Sequence, residues 1–65
     1  MKNKIKVLRA IHNITQEELA KALEVSRQTV QAIENDKYLP SLALGFKIAR
    51  FFGKTVEEVF LPEME

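Results

Sequence analysis

Apolar residues recur along this chain with helical rather than strand periodicity. Ile5, Leu8 and Ile11 follow at three-residue spacing, with Val7 beside them, so an amphipathic first helix is predicted from Lys2 to Ile11. His12-Asn13 ends it, since Asn tolerates a left-handed backbone, and Ile14 is expected to be buried just before the next start. Thr15 is an N-cap, and Glu18 three residues on completes a capping box. A second helix then carries Leu19, Ala20 and Leu23 as one stripe. Glu24-Val25 makes a turn, Ser26 caps a third helix with Val30 and Ile33 inward, and Asn35-Asp36 closes it. Pro40 begins a fourth element capped by Ser41, its inner face set by Leu42, Gly45, Ile48, Ala49 and Phe52, with Gly53 as its stop. Thr55 caps a last short helix, VEEVF, which Pro62 ends. No period-two alternation persists, so the expected fold class is all-α: a single domain over residues 1–65 with about five helices and no internal repeat.

The outward face of the third helix has unusual chemistry. A stabilising surface helix carries Glu and Lys, whereas Gln28, Gln31, Ala32 and Asn35 supply donors, acceptors and a methyl group without net charge. That is what reading base edges in a DNA major groove requires. Singly, each amide is an ordinary solvated residue; together on one face they carry more weight.

Composition removes several alternatives. Sixty-five residues sit near the lower limit for folding without metal or disulfide help. No cysteine is present, so disulfide and thiolate metal sites are excluded, and His12 cannot build a zinc site alone. No metal site, cofactor or catalytic residue is expected: there is no paired-carboxylate site, and His12 has no evident orienting partner. No apolar run approaches the roughly 20 residues needed to span a bilayer, and the N-terminus lacks the apolar stretch of a signal peptide. An intracellular, cytoplasmic protein is the expectation. The net charge is +1, but Lys2, Lys4, Lys6 and Arg9 lie in the first ten residues and Glu57, Glu58, Glu63 and Glu65 in the last nine. That asymmetry suits either one basic face meeting a polyanion or simple solubility.

Thr15–Lys37 resembles the helix-turn-helix of the phage lambda and 434 repressors, Cro, and small bacterial and archaeal regulators of that family. The resemblance rests on T-Q-x-E-L-A-x-x-L, V-S-R-Q-T-V and I-E-N-x-K, in order and with family spacing. Leu8-Arg9, P-S-L…K-I-A and T-V-E-E-V-F extend it over nearly the whole chain. It implies a five-helix lambda-repressor-like domain whose helix-turn-helix spans helices two and three, and a prokaryotic, nucleoid-associated regulator of the XRE type. In the family the third helix enters the major groove, and Arg27, Gln28, Gln31 and Ala32 match its base-reading positions. Gln28 suits adenine, Ala32 a thymine methyl, and Arg27 a guanine or a phosphate, unless Arg27 pairs with Glu24 instead. Gln16, Asn35 and Lys37 match phosphate-binding positions. Tyr38 either donates to a phosphate or packs on the end of helix three.

Helical spacing puts Glu34 beside the Val30/Ile33 stripe, where a carboxylate needs a partner. Arg9 occupies the family position for an Arg9–Glu34 ion pair. The family usually has glycine at the positions of Glu24 and Asp36, which need a left-handed backbone.

One reading helix gives few contacts, so a homodimer on a palindromic site is expected. Leu44, Phe51, Phe60 and Leu61 are the candidate dimer surface; the competing reading is a core wrapped by the last helix. The functional expectation is a free-standing repressor that binds double-stranded DNA and occludes polymerase. Two alternatives stay open: an antitoxin-type regulator that also binds a protein partner, and a protein-interaction module that does not bind DNA.

Overall fold

The computed structural model describes residues 1–61. Five helices lie among them: α1 (Ile5–His12), α2 (Gln16–Leu23), α3 (Arg27–Glu34), α4 (Leu42–Phe51) and α5 (Val56–Val59). Lys2–Asn3 (β1) and Phe60–Leu61 (β2) add a short antiparallel ladder, Lys2 opposite Leu61 and Asn3 opposite Phe60. The architecture is the expected all-α, five-helix domain, with a two-stranded clasp added. Pro62, assigned above as a stop, lies outside the described residues, as do Glu63 and Glu65.

Local chemistry explains most helix boundaries. The Thr15 hydroxyl accepts from the Glu18 amide at 3.0 Å, and the Glu18 carboxylate accepts from the Thr15 amide at 2.8 Å. Thr55 and Glu58 repeat this box on α5. Ser26 and Ser41 cap α3 and α4 through the amides of Thr29 and Leu44. At their C-termini α1 to α4 share one device, the Schellman pattern. Asn13, Glu24, Asp36 and Gly53 each take positive φ, between 57° and 67°. In each case the next residue's amide reaches back five positions, as Val25 does to the Ala20 carbonyl at 3.0 Å.

Ile5, Leu8, Leu19, Leu23, Val30, Ile33, Ile48, Phe52 and Val59 form the core, with Ala20 and Ala49 where helices approach closely. Ile14, Val25, Leu44 and Val56 pack against it from the rim.

Four expectations need correction. First, α1 begins at Ile5 rather than Lys2: the Asn3 carboxamide oxygen accepts from the Ile5 amide at 3.1 Å, and the residues before it pair with the chain's far end. Second, Ile11 is 70% exposed. A step of three residues falls about 60° short of a full helical turn, so the side of α1 begun by Ile5 and Leu8 leads on to His12, which is itself exposed. The His12 ring lies 5.2 Å from that of Phe52. Third, Leu42 is 72% exposed: it is the first residue of α4, and Gly45, Ile48, Ala49 and Phe52 make the inner face beyond it. Fourth, Phe60 is 5% exposed and belongs to the core. It does not continue α5; pairing with Asn3 turns its ring inward, over Gly45.

The charge asymmetry also dissolves in three dimensions. The ladder brings Lys2 and Lys4 to the C-terminal side, and one shallow groove is lined by Lys4 and Lys54 together with Glu57 and Glu58. Arg9 is consumed internally. Among the described residues, basic Lys4 and acidic Glu57 and Glu58 therefore share one surface.

Candidate nucleic-acid interface

The α2–turn–α3 unit is held from three sides. Within it, Ala20 is 3% exposed and sits under the turn, where its carbonyl receives the Val25 amide. From α4, Lys47 Nζ donates to the Leu23 carbonyl at 2.9 Å and pairs with Glu24 at 3.2 Å. Glu24 is thus engaged by Lys47 rather than by Arg27. From β1, the Asn3 carboxamide donates to the Ile33 carbonyl at 2.8 Å, a second donor for a group at the end of α3 that also accepts from the Asp36 amide at 3.1 Å. The Met1 ammonium group pairs with Asp36 just beyond.

The fourth restraint is ionic. Arg9 Nε donates to Glu34 Oε2 at 2.6 Å, and Arg9 Nη2 donates to Oε1 at 3.3 Å. Arg9 Nη1 donates to the Ile14 carbonyl at 3.0 Å, and the Gln16 carboxamide donates to Glu34 Oε1 at 3.0 Å. The Glu34 side chain is fully covered, and that of Arg9 is 16% exposed. One carboxylate thereby orients α1, the start of α2 and α3 together.

This scaffold leaves the outer face of α3 free. Val30 and Ile33 are each 2% exposed and point inward. Gln28, Gln31 and Asn35 fall three to four residues apart on the opposite side and are exposed, with Ala32 half-buried between them. Arg27 is exposed at the first turn, which carries no acidic residue. The Ser26 and Thr29 hydroxyls lie 2.9 Å apart at the same end. A shallow cleft lined by Arg27, Gln16, Glu17 and Thr15 joins the start of α3 to that of α2. Asn35 and Lys37 are exposed at the other end of α3, beside the left-handed Asp36. Tyr38 is half-exposed there. The amide face is therefore flanked along its length by groups that donate to anions, with helix N-termini adding unpaired backbone N–H groups.

The candidate dimer residues divide. Leu44 packs against the core and Phe60 lies within it, whereas Phe51 and Leu61 are 41% and 38% exposed. Three positioning residues escaped the sequence reading: Asn3, Lys47 and the hydroxyl of Thr29. Asn3 and Lys47 act through contacts 30 and 24 positions apart, which no spacing announces; Thr29 stands three residues from the Ser26 cap, a spacing that could have marked it.

Among the described residues no helix is long and apolar enough to cross a membrane, and no group of His, Cys, Asp or Glu is arranged to hold a metal.

Comparison with known proteins agrees with this geometry. The helix-turn-helix family model matches residues 5–59. An uncharacterised HTH-type transcriptional regulator of Methanocaldococcus jannaschii is 64% identical over 63 residues, covering 97% of this chain and 96% of that one. Another such regulator, YgzD of Bacillus subtilis, is 49% identical over 65 residues, covering all of this chain and 98% of its own length. The crystal structure of a hypothetical transcription factor from Neisseria, NHTF, superposes with a TM-score of 0.79 at 28% identity, covering 89% of this chain and 67% of that one. The chain belongs to the lambda-repressor-like helix-turn-helix family of transcriptional regulators, a non-enzymatic family that binds DNA.

Proposed function

We propose that the protein is a sequence-specific regulator that binds a palindromic operator as a homodimer, with α3 of each copy in the major groove, and that it represses by occluding polymerase. The observation that carries this reading is the uncharged, exposed α3 face of Gln28, Gln31 and Ala32, flanked by Arg27, Gln16, Asn35 and Lys37. Gln28 presents a donor and an acceptor suited to adenine N6 and N7, Ala32 a methyl for thymine, and Arg27 a fork for guanine or a phosphate. Gln16, Asn35 and Lys37 fix the register on the backbone. Gln16 donates inward to Glu34, so its backbone amide, at the start of α2, is the group that meets phosphate. A chain bound across promoter DNA in this way denies the same groove to polymerase.

Selection from random duplexes tests the reading. The expected product is an inverted repeat whose half-sites lie about 10 base pairs apart, centre to centre. Enrichment of a single asymmetric half-site removes the homodimeric part; no enrichment removes the DNA reading. A second reading is favoured by Val7 and Ile11, which are 57% and 70% exposed on α1: a regulator that also binds a protein partner.

A further inference from the structure

Leu39, Leu42 and Phe46 are 63%, 72% and 48% exposed. Leu42 and Phe46 stand one turn apart on α4, and Leu39 leads into that helix's cap. They border a cleft of about 270 Å³ lined by Leu39, Leu42, Gly45, Val56 and Phe60 and by Met1, whose ammonium group is paired with Asp36. We propose that this face, at the start of α4, is where a second copy of the chain docks. The proposal rests on the homodimeric reading above and moves the interface away from Phe51 and Leu61.

Self-association suits this face because of its charge. Tyr38 to Phe46 is the longest uncharged stretch in the sequence, nine residues. In a two-fold interface a patch meets itself, so any net charge in it would face its own sign. An apolar, uncharged patch is self-complementary, and depletion of charge is what distinguishes the core of an interface. By contrast, the groove beside Val7 and Ile11 is rimmed by Lys4, Lys54, Glu57 and Glu58.

Area and reach agree. With aromatic side chains offering about 150–250 Å² each, the exposed parts of Tyr38, Leu39, Leu42 and Phe46 come to on the order of 400 Å². That is roughly half of the ~800 Å² per partner in a stable complex, a normal apolar share with a polar rim making up the rest. Leu39 lies five residues beyond the end of α3, a span of at most about 18 Å. A two-fold axis beside Leu39 therefore lies within reach of the ~34 Å separation required of two reading helices. Phe51 lies nine residues further along α4 from Leu42, about 13 Å, at the far end of the helix from that loop.

The test is sedimentation velocity at micromolar concentration on the wild type, Leu42→Glu, Leu39→Glu and Phe51→Glu, with far-UV circular dichroism confirming that each is folded. Leu39 and Leu42 are exposed and at different backbone sites, so both variants failing to fold is not expected. The wild type and Phe51→Glu are expected to sediment as dimers, while the two leucine variants dissociate at least tenfold more readily. A monomeric wild type overturns the proposal, as do leucine variants that remain dimers. A wild-type dimer, lost in the leucine variants, that selects no duplex would end the DNA reading and leave this interface standing.

Discussion

Arg9 grips Glu34 from across the domain, its Nε 2.6 Å from a carboxylate that solvent does not reach. Pairs of this kind add little net stability over well-packed apolar residues, but breaking one by removing a single partner costs about 3–5 kcal/mol. A domain of this size has only about 3–5 kcal/mol in total. Arg9→Met alone is therefore expected to leave the protein largely unfolded at 25 °C, since Gln16 remains as the only side-chain partner of Glu34. The double variant Arg9→Met, Glu34→Leu is expected to recover most of the loss. Urea melts of the wild type, Arg9→Met, Glu34→Leu and the double variant measure the coupling; equal midpoints for Arg9→Met and the double variant would contradict it.

Base reading and phosphate binding separate by salt. Gln28→Ala is expected to weaken the selected site by about 1–3 kcal/mol, while leaving residual binding that stays salt-sensitive and indifferent to sequence. Lys37→Ala is expected to weaken all duplexes alike and to lower the slope of log affinity against log salt by about 1. Fluorescence anisotropy at several salt concentrations resolves both. A Lys37→Ala protein with an unchanged salt slope would remove that residue from the interface.

What the sequence disclosed and what it hid follow from the range of the interactions. The Thr15–Glu18 box and the left-handed ends at Asn13, Glu24 and Gly53 are written within a few residues, so spacing alone exposes them. The α3 face was legible because its residue types are wrong for a solvated helix. The clasp was not: two-residue strands have no period, and Asn3 meets Ile33 thirty positions away. Ile11 misled because three-residue spacing alone drifts around a helix, and Leu42 because a residue on the inner side of a helix's first turn is covered only if something across the core reaches it. Phe60 misled in the same way, with the ladder rather than helix periodicity turning it inward.

Acid sensitivity follows from the second box. The Thr55 amide, aided by the Thr55 hydroxyl and by Lys54, holds the Glu58 carboxyl below its ordinary 4.5 against the opposing effect of desolvation. A depressed pKa makes the carboxylate stabilising above the unfolded value, and that contribution fades as pH falls through the lower folded value. Glu58→Gln is expected to remove this dependence, so the two proteins should differ most near neutrality and converge as pH falls through the lowered folded value. Thermal melts from pH 7 to 3 check it; a constant difference across that range would assign the effect to something other than ionisation.

The final prediction concerns the turn between α2 and α3. Glu24 holds φ at 62° to close α2, a conformation costing a non-glycine residue about 1–2 kcal/mol. Its pair with Lys47 is 3.2 Å long, with side chains 45% and 81% exposed, and exposed pairs are worth about 0–1 kcal/mol. Glycine relieves the strain but frees the unfolded chain, which takes back about 0.4–1 kcal/mol. The three magnitudes leave Glu24→Gly slightly stabilising, by roughly 0.5 kcal/mol, with a melting temperature a few degrees higher. Glu24→Val, which keeps the strain, adds a branched side chain and loses the ion pair, is expected to melt lower than either. Lys47 still donates to the Leu23 carbonyl in both variants, so the helix-turn-helix keeps its restraint from α4 and DNA affinity should hold. Calorimetry on the three proteins decides the order; a glycine variant melting below the wild type would show that the ion pair, not the backbone, governs this turn.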